Sequence, residues 1–378
     1  MSHIINQVPV FYLSGIWGSS GSDVFAVGAN GTISHYNGSA WSLMASGTEC
    51  NLNGVWGNSG SDVFAVGDCG NILHYNGSSW SSMESGTPHT LLGVWGRSGM
   101  DVFAVGGGSG GKLDPSYGII LHYDGNTWST MEGSIGEEFL HNIWGSSSMD
   151  VFAVGDRGTI LHYNGRIWSF MASGTQSNLN GVWGSSDHDV FAVGNYGILH
   201  YDGIIWSASM ESDWDNWISG VWGSSSTDVF AVGGWGTIFH YDGSAWSSIT
   251  NPARGAFNHF YGVWGSSGID VFAVGQYGNI LHYSATDMDH DEIADYADEC
   301  PESNLETSIT IDGCDTDVQN QLFQNGCTMS DIIAECDANS DTRFRFLTCV
   351  NQCTRQWKQH GVGLKEKYAI LRCAFRTK

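Results

Sequence analysis

The sequence has few positive charges and no long apolar segment. Its 378 residues include 14 lysines and arginines against 39 aspartates and glutamates, for a formal net charge of −25. Such an acidic surface repels phosphate backbones and anionic lipids, so we expect no nucleic acid partner. Because no stretch of 18 apolar residues occurs, we also expect no membrane-spanning helix.

Residues 1–6 lack the charged and apolar regions of a secretory signal peptide. Nine cysteines, seven of them after residue 299, are nevertheless typical of an oxidising compartment. We therefore expect an extracellular or cell-surface protein whose signal peptide has been removed.

Glycine (52 residues) and tryptophan (17 residues) are abundant, which favours short strands, tight turns and aromatic packing. Trp-Gly pairs recur with spacings of 39, 39, 49, 39, 39 and 42 residues. They begin at Trp17, Trp56, Trp95, Trp144, Trp183, Trp222 and Trp264. A period of about 40 residues corresponds to one four-stranded blade. The sequence therefore predicts an all-β, seven-bladed propeller over residues 1–286.

The strands of each unit can be placed from turn chemistry. In the second unit, residues 62–67 form a β-branched and aromatic run, residues 71–75 follow as a third strand, and Asn76-Gly77 is a hairpin signal. The seventh unit has no fourth strand of its own. Residues 2–6 stand at the matching distance before Trp17, so we expect them to complete this blade and close the ring.

Each unit carries one histidine before a tyrosine and one aspartate at the start of the second strand. The histidines occupy equivalent outer positions and lie far apart around a ring, so a shared metal site is not expected. We interpret them as structural groups with a local hydrogen bond. The histidines are His35, His74, His122, His162, His200, His240 and His282.

The repeat resembles bacterial seven-bladed propellers related to photosystem II assembly factors and Asp-box (BNR-type) proteins. The resemblance rests on Gly158-Thr159-Ile160-Leu161 followed by Asn164-Gly165 and Trp168, and on Asp124-Gly125 followed by Trp128. The Asp-box has one more residue between its Asp and Gly, so the match to that motif is loose. The resemblance implies the fold and says little about function.

One propeller face is expected to hold the ligand. Loops before the innermost strand and loops between the second and third strands emerge on the same side, and there the units stop resembling one another. Aromatic residues beside charged ones on a rigid ring suit carbohydrate stacking or peptide capture; the alternative is that they only pack the loops together. The candidate residues are Asp156, Arg157, Tyr196, Trp214, Trp217, Trp235, Phe257, His259, Phe260 and Tyr277.

Residues 287–298 have the ligand spacing of a calcium loop. Carboxylates stand at positions 1, 3, 5, 9 and 12, with a backbone carbonyl at position 7. The predicted ligands are Asp287, Asp289, Asp291, Ile293, Asp295 and Asp298. With the following Cys300-Pro301, the segment resembles a thrombospondin type 3 repeat, except that Glu292 replaces the usual glycine. The resemblance implies a structural Ca²⁺ in a linker over residues 287–314; the alternative is a solvated acidic linker.

Residues 315–378 are expected to form a small helical domain that needs disulfide staples. Helices are predicted to begin at residue 318, near Thr328 or Ser330, and at residues 344 and 364. We expect Cys50 to pair with Cys69 on the common face. Cys300–Cys314 is expected as in similar bacterial linkers. The five remaining cysteines, Cys327, Cys336, Cys349, Cys353 and Cys373, leave one thiol over, and Cys353 is the candidate.

The sequence thus favours a non-enzymatic binding or adhesion protein that recognises a glycan or a protein through one propeller face. A second hypothesis is a structural subunit that self-associates through its basic tail into an array or filament, since nine of the 14 lysines and arginines follow residue 342. A propeller-type glycosidase or lyase is disfavoured, because only five lysines or arginines precede residue 287 and no pair of catalytic carboxylates is evident.

Overall fold

The computed structural model describes residues 2–7, 12–108, 117–131, 138–211, 217–249, 258–284, 300, 303, 305–323, 327–340, 342–360 and 362–376. The chain divides into two compact units, residues 1–284 and 285–378. The first unit ends two residues before the predicted boundary, and the predicted linker and tail fall together in the second.

Seven four-stranded antiparallel sheets account for the strands described in the first unit. The innermost strands are β2 (Leu13–Ser20), β6 (Leu52–Ser59), β10 (Thr90–Ser98), β14 (Leu140–Ser147), β18 (Leu179–Ser186), β22 (Ile218–Ser225) and β26 (Phe260–Ser267). The second strands are β3 (Asp23–Gly28), β7 (Asp62–Gly67), β11 (Asp101–Gly108), β15 (Asp150–Gly155), β19 (Asp189–Gly194), β23 (Asp228–Gly233) and β27 (Asp270–Gly275).

The outer half of each sheet follows the same order. The third strands are β4 (Ile33–Tyr36), β8 (Ile72–Tyr75), β12 (Tyr117–Tyr123), β16 (Ile160–Tyr163), β20 (Gly197–Tyr201), β24 (Ile238–Tyr241) and β28 (Asn279–Ser284). The outermost strands are β5 (Trp41–Met44), β9 (Trp80–Met83), β13 (Trp128–Thr130), β17 (Trp168–Met171), β21 (Trp206–Glu211), β25 (Trp246–Ser248) and β1 (Ser2–Gln7). The predicted seven-bladed propeller is confirmed.

The N-terminal strand closes the ring as predicted. β1 pairs antiparallel with β28, with Ser2 opposite Tyr283 and Gln7 opposite Asn279. The seventh blade is therefore built from both ends of the propeller sequence, and its third strand is not left as an open edge.

The Trp-Gly pair that marks each unit makes the contact between blades. The Trp17 ring of the first blade lies so close to Gly57 of the second that a Cβ on Gly57 would be 2.5 Å from the indole. The same contact joins the last blade to the first, where a Cβ on Gly18 would be 2.6 Å from the Trp264 ring. Glycine is required because any side chain there would occupy the volume of the neighbouring indole.

The second strand of every blade is buried on both faces. In β3, the Val-Phe-Ala-Val run from Val24 to Val27 has no exposed surface, and the same residues are buried in the other blades. These strands pack between neighbouring sheets, which explains their uninterrupted apolar sequence.

The repeated histidines are structural, as expected. Each histidine Nε2 lies 2.5–2.8 Å from Oδ1 of the aspartate that begins the second strand of its own blade. In five blades a serine hydroxyl donates to the other carboxylate oxygen, as Ser19 does to Asp23 over 2.5 Å. The imidazole also packs on the buried phenylalanine of the second strand, with centroids 4.4 Å apart for Phe25 and His35.

The described part of the second unit is a β-hairpin packed with three helices. Its elements are β29 (Ser308–Ile311), β30 (Cys314–Gln319), α1 (Met329–Ala338), α2 (Arg343–Gln356), a short 3₁₀ turn (Trp357–His360) and α3 (Leu364–Arg376). Thr328 caps α1: its hydroxyl accepts from the Asp331 N–H, and the Asp331 carboxylate accepts from the Thr328 N–H over 2.6 Å. None of the described helices is long and apolar enough to cross a membrane.

The helix predicted to begin at residue 318 is wrong. Thr316 and Val318 are buried while Asp317 and Gln319 are exposed, which is the two-residue period of a strand. Val318 belongs to β30 and packs with Ile309 and Ile333 in the core of this unit.

The disulfide pairing of the second unit also differs from the expectation. Cys300 pairs with Cys327 and Cys314 pairs with Cys373, so the expected Cys300–Cys314 bond is wrong. The actual bonds attach the hairpin to α3 and residue 300 to the segment before α1, closing longer loops than the expected bond. Cys336 pairs with Cys349, and Cys353 is a free thiol.

Candidate functional site

The segments before the innermost strands and the turns after the second strands lie on one side of the propeller, which we call the loop face. In six blades, a backbone N–H at the start of the turn donates to the carbonyl of the residue before the innermost strand. Asp68 donates to Asn51 over 2.9 Å, Asp156 to Phe139 over 2.9 Å and Gly234 to Trp217 over 2.8 Å. The expectation that both sets of loops share a face is confirmed.

Cys50 and Cys69 form the expected disulfide on this face. Their Cα atoms are 6.4 Å apart, and the bond ties the segment before β6 to the turn after β7. The disulfide therefore restrains these two loop-face segments of the second blade relative to each other.

Five turns of the loop face place a side chain in the left-handed region. Asn30, Cys69, Arg157, Trp235 and Tyr277 have φ between 50° and 63°, and each is followed by a glycine with positive φ. Glycine adopts this conformation without strain, whereas a large side chain costs about 1 kcal/mol or more. Large side chains nevertheless occupy three of these turns, at Arg157, Trp235 and Tyr277. Strained residues of this kind are typical of functional positions.

A ring of variable residues surrounds the centre of the loop face. Each innermost strand has a register shift near its first residue, and five residue types occupy the bulged position in the seven blades. A bulge redirects a side chain out of the regular pattern of a sheet. The residues are Ser14, Asn53, Leu92, His141, Asn180, Ser219 and Tyr261. The sequence predictions did not include these residues. The available signal was a variable residue that stands two positions before the Val or Ile, and three before the Trp, of each Val-Trp or Ile-Trp pair.

Polar members of this ring bond to the turns beside them. Asn53 Nδ2 donates to Asp68 Oδ1 over 3.1 Å and to the Leu91 carbonyl of the next blade over 3.0 Å. Asn180 Nδ2 donates to Asn195 Oδ1 over 3.2 Å and to the Ile218 carbonyl over 2.8 Å. These amides are therefore held in fixed orientations at the blade junctions.

An aromatic cluster lies where the sixth blade meets the seventh. The Trp217 ring centroid is 4.8 Å from that of His259 and 6.4 Å from that of Trp235. The backbone N–H of Trp235 donates to His259 Nδ1 over 2.9 Å, so the proton of the neutral imidazole is on Nε2. Trp235 remains 37% exposed and presents an indole surface to solvent.

A cavity of about 460 Å³ opens beside this cluster, between the fifth and sixth blades. Its lining combines two aromatic rings with amide and hydroxyl groups. The lining residues are Asn180, Asn195, Tyr196, Trp217 and Ser219. A second cavity of about 310 Å³ shares Tyr196 and extends to Glu211 at the outer strand of the fifth blade. Such a mixture of apolar walls and a few oriented polar groups is typical of ligand sites.

Tyrosines continue the aromatic surface into the seventh and first blades. Tyr261 contacts Tyr12 edge to face, with ring centroids 6.2 Å apart. Burial raises the pKa of Tyr261, with smaller contributions from Tyr12 and Tyr277, and burial with the nearby Asp68 charge raises the pKa of Tyr12. Both hydroxyls therefore remain protonated hydrogen-bond donors at neutral pH.

The fourth blade supplies the charged part of the face. Arg157 Nη1 donates to Glu138 over 3.0 Å, and His141 Nε2 lies 3.1 Å from Asp156 Oδ1. The Arg157 side chain is 74% exposed, so this ion pair contributes little stability. Its guanidinium retains donors for a ligand.

The structure brings Tyr196, Trp217, Trp235 and His259 together and places Asp156, Arg157 and Tyr277 on other sectors of the same face. Phe260 was wrongly assigned to this face: it is 1% exposed and packs in the core with Phe230 and Val263. It begins β26 at the position where other blades have Leu or Ile, which is a buried position. Trp214, Phe257 and the predicted calcium ligands of residues 287–298 lie outside the described residues.

No protein-family model matches the chain, and no curated protein matches it in sequence. Solved structures are similar in fold. "YCF48 bound to D1 peptide" is 17% identical with a TM-score of 0.61, covering 75% of this chain and 97% of that one. "YCF48 from Cyanidioschyzon merolae" is 16% identical with a TM-score of 0.58, covering 75% and 98%.

The WD40 β-propeller domain of Doa1 is also similar, at 13% identity and a TM-score of 0.59, covering 75% of this chain and 95% of that one. At such identities, the similarity concerns the fold alone. The chain carries a seven-bladed β-propeller of the general architecture shared by these structures, followed by a small helical region with disulfides.

Proposed function

We propose that the protein is a non-enzymatic binding protein whose loop face takes up a protein segment. The observation that carries this proposal is the Trp217–Trp235–His259 cluster beside the cavity between the fifth and sixth blades. A propeller of the same fold is described as bound to a peptide, which supports this class of ligand.

The chemistry of the cavity suits an extended peptide. The Trp217 and Tyr196 rings offer apolar surface for a side chain of the ligand. The Asn180 amide oxygen offers an acceptor for its backbone, the Asn195 amide nitrogen offers a donor, and the Ser219 hydroxyl can act as either. Since Asn180 is already held by Asn195 and by the Ile218 carbonyl, little entropy is lost in orienting it.

A glycan is the second candidate ligand, favoured by the exposed indole of Trp235. Sugar rings stack on flat aromatic surfaces, and their hydroxyls hydrogen-bond to amides such as Asn195. A peptide and a glycan would contact the same residues of this face, so direct binding measurements are used to distinguish the two ligand classes.

The arrangement of histidine, aspartate and serine supports a role without catalysis. Asp23 lies between His35 and Ser19 and bonds to both, so the histidine is not placed to take a proton from the serine hydroxyl. The same arrangement recurs in other blades, as a scaffold element would and a single active site would not.

The calcium linker and the extracellular location belong to the same proposal. The donor set of Asp287, Asp289, Asp291, Asp295 and Asp298 consists of hard carboxylate oxygens, which suit Ca²⁺. Calcium titration of the full chain by calorimetry tests this assignment. We expect binding that is lost in Asp287→Asn/Asp291→Asn, and heat release that is unchanged in this variant would contradict it.

The test of the loop face uses the substitution Trp235→Gly. Glycine relieves the left-handed strain at this turn, so lost binding is not explained by a strained turn. A peptide display library and a glycan array are screened with the wild-type chain, and the bound class is then titrated. We expect Trp235→Gly and Trp217→Ala each to weaken binding about tenfold or more, as for central aromatic residues.

The matched control is Phe170→Ala, which removes an exposed aromatic ring from β17 on the outside of the fourth blade. We expect no change in affinity. If Phe170→Ala weakens binding as much as Trp235→Gly does, or if neither does, the loop face is not the binding surface.

A further inference from the structure

The exposed side of α3 carries large apolar residues among positive charges. Leu364, Tyr368 and Phe375 are 75%, 69% and 61% exposed, and with the exposed Arg372 they follow one another at intervals of four, four and three residues. This spacing places them on a single face of a helix. We call these four residues the α3 stripe.

The α3 stripe is not part of the core of its own unit. The opposite side of α3 supplies Ile370, Cys373 and Ala374 to that core, so the helix is apolar on both sides. The start of α2 extends the stripe: Phe344 is 80% exposed, and the Arg343 guanidinium lies 4.3 Å above the Phe375 ring. Exposed apolar surface of this extent marks an interaction site, and Arg, Tyr and Phe are enriched at interfaces.

Charge defines the partner of the stripe. Residues 342–378 contain nine lysines and arginines and a single acidic residue, Glu366. Every other segment of the chain together contains 38 acidic residues and five basic ones. The complementary surface is therefore anionic with apolar side chains, and the protein itself supplies such a surface.

An exposed apolar patch lies on the acidic propeller unit, at turns of the fourth and fifth blades that carry Asp187, Asp202 and the basic Arg166. Met149, Ile167, Ile204 and Ile205 are each at least 60% exposed there, and we call them the turn arc. The hairpin turns of the first and sixth blades carry Ser-Ala at the positions of Ile204 and Ile205, and the turn of the second blade carries Ser-Ser. Asp202 in the same turn is held in its charged form, because the Ile205 and Ile204 N–H groups lower its pKa.

We propose that the α3 stripe of one molecule binds the turn arc of a second copy of this chain. The contact is heterologous, since two different surfaces meet. Each copy keeps one free stripe and one free arc after pairing, so association continues into rings or filaments. This proposal does not depend on a ligand for the loop face.

Sedimentation velocity of the full chain at rising protein concentration and at low and high salt provides the test. We expect species above the monomer mass of 40.9 kDa that grow with concentration and decrease with salt. A monomer at every concentration in low salt would overturn the proposal. It would leave the loop-face function untouched, because that function does not need a second copy.

Two variants locate the contact. Arg372→Glu changes the stripe, and Ile204→Ser/Ile205→Ser changes the arc; both positions are exposed, so folding is preserved and is checked by circular dichroism. We expect each variant alone to weaken self-association about tenfold or more. The charge control is Arg157→Glu on the loop face, and the apolar control is Leu43→Ser on β5; both are expected to assemble like the wild type.

Mixing the two variants gives the decisive result. The Arg372→Glu molecule retains an intact arc and the Ile204→Ser/Ile205→Ser molecule retains an intact stripe. The mixture therefore has one productive pairing and is expected to form dimers without larger species. A mixture that remains monomeric while the wild type assembles, or assembly that both controls impair equally, would overturn the proposal.

Discussion

The backbone N–H of Trp235 donates to Nδ1 of His259 over 2.9 Å and so connects the turn of the sixth blade to the strand entry of the seventh. In other blades an asparagine side chain is the acceptor at this position. The backbone N–H of Asn30 donates to Asn51 Oδ1, and that of Arg157 donates to Asn178 Oδ1, each over 3.0 Å. His259 thus combines the acceptor that the repeat requires with an aromatic ring that stacks on Trp217.

The two roles of His259 are separable by substitution. His259→Asn keeps the acceptor and removes the ring, so we expect near wild-type stability and weaker ligand binding. His259→Phe keeps a ring and removes the acceptor of the Trp235 backbone N–H, which costs about 0.5–1.5 kcal/mol of stability. Chemical denaturation and ligand titration measure the two effects. Equal stability of both variants would show that the hydrogen bond does not support the turn.

The repeat made the propeller predictable, and contacts between repeats limited what else could be predicted. The Trp-Gly period and the missing fourth strand of the seventh unit determined the blade number and the closure by β1. The His259–Trp235 bond joins different blades, so nothing in the local sequence of either residue reveals it. Phe260 was misassigned because its position in β26 was not compared with Leu13 and Leu52, which are buried.

The second unit was harder to predict for a physical reason. Its cysteines are many and close in sequence, and pairing depends on the three-dimensional approach of segments far apart in the chain. Cys314 bonds to Cys373, 59 residues away, whereas sequence proximity favoured Cys300. The strand at residues 314–319 was detectable from the alternation of Thr316 and Val318 with Asp317 and Gln319.

The contact that closes the ring predicts a strong effect for Gly18→Ala. The added methyl group meets the Trp264 indole and the Asp23 carbonyl, and overpacking of a tight contact costs about 1–3 kcal/mol. Urea denaturation followed by fluorescence measures the loss. Ser22→Ala in the same hairpin is exposed and is expected to change stability by less than about 0.5 kcal/mol. Equal stability of the two variants would show that the Trp264–Gly18 contact is loose.

Asp242, in the hairpin turn of the sixth blade, is expected to make the stability of the fold sensitive to acid. The Ser244 hydroxyl and the Ala245 and Ser244 N–H groups bond to Asp242 and lower its pKa to about 2. An unfolded aspartate has a pKa of about 3.9, so Asp242 stabilises the fold above that pH, and this stabilisation is lost as the pH falls to about 2. A carboxyl ¹³C NMR titration measures the midpoint directly.

The substitution Asp242→Asn distinguishes the contribution of the hydrogen bonds in the turn from that of the ionisation of the carboxyl group. Asn37 accepts the same bonds from Ser39 and Ala40 in the first blade, so asparagine preserves the turn while removing the ionisable group. We expect stability near wild type at neutral pH and a smaller loss between pH 4 and 2. An Asp242 midpoint at the ordinary aspartate value would contradict the assignment.

The free thiol of Cys353 predicts exchange with a neighbouring disulfide. Its Sγ is 3.8 Å from Cys336 Sγ, and the sulfurs of Cys336, Cys349 and Cys353 all lie within 4.8 Å of one another. Attack of the Cys353 thiolate on Cys336 Sγ forms Cys336–Cys353 and releases Cys349 as a thiolate, with no oxidant required. Burial raises the pKa of the Cys353 thiol, so exchange is slow near neutral pH and faster in alkali.

Alkylation followed by digestion with trypsin and endoproteinase Asp-N identifies the free thiol. These enzymes release residues 331–336 linked to residues 346–355, and fragment ions between Cys349 and Cys353 locate the alkylated cysteine. After incubation in alkali we expect label on both cysteines, and Cys349→Ser folded in the presence of oxidised glutathione is expected to form Cys336–Cys353, with the glutathione disulfide as the two-electron oxidant. Label on Cys353 alone at all times, together with two free thiols in Cys349→Ser, would show that the three sulfurs do not exchange.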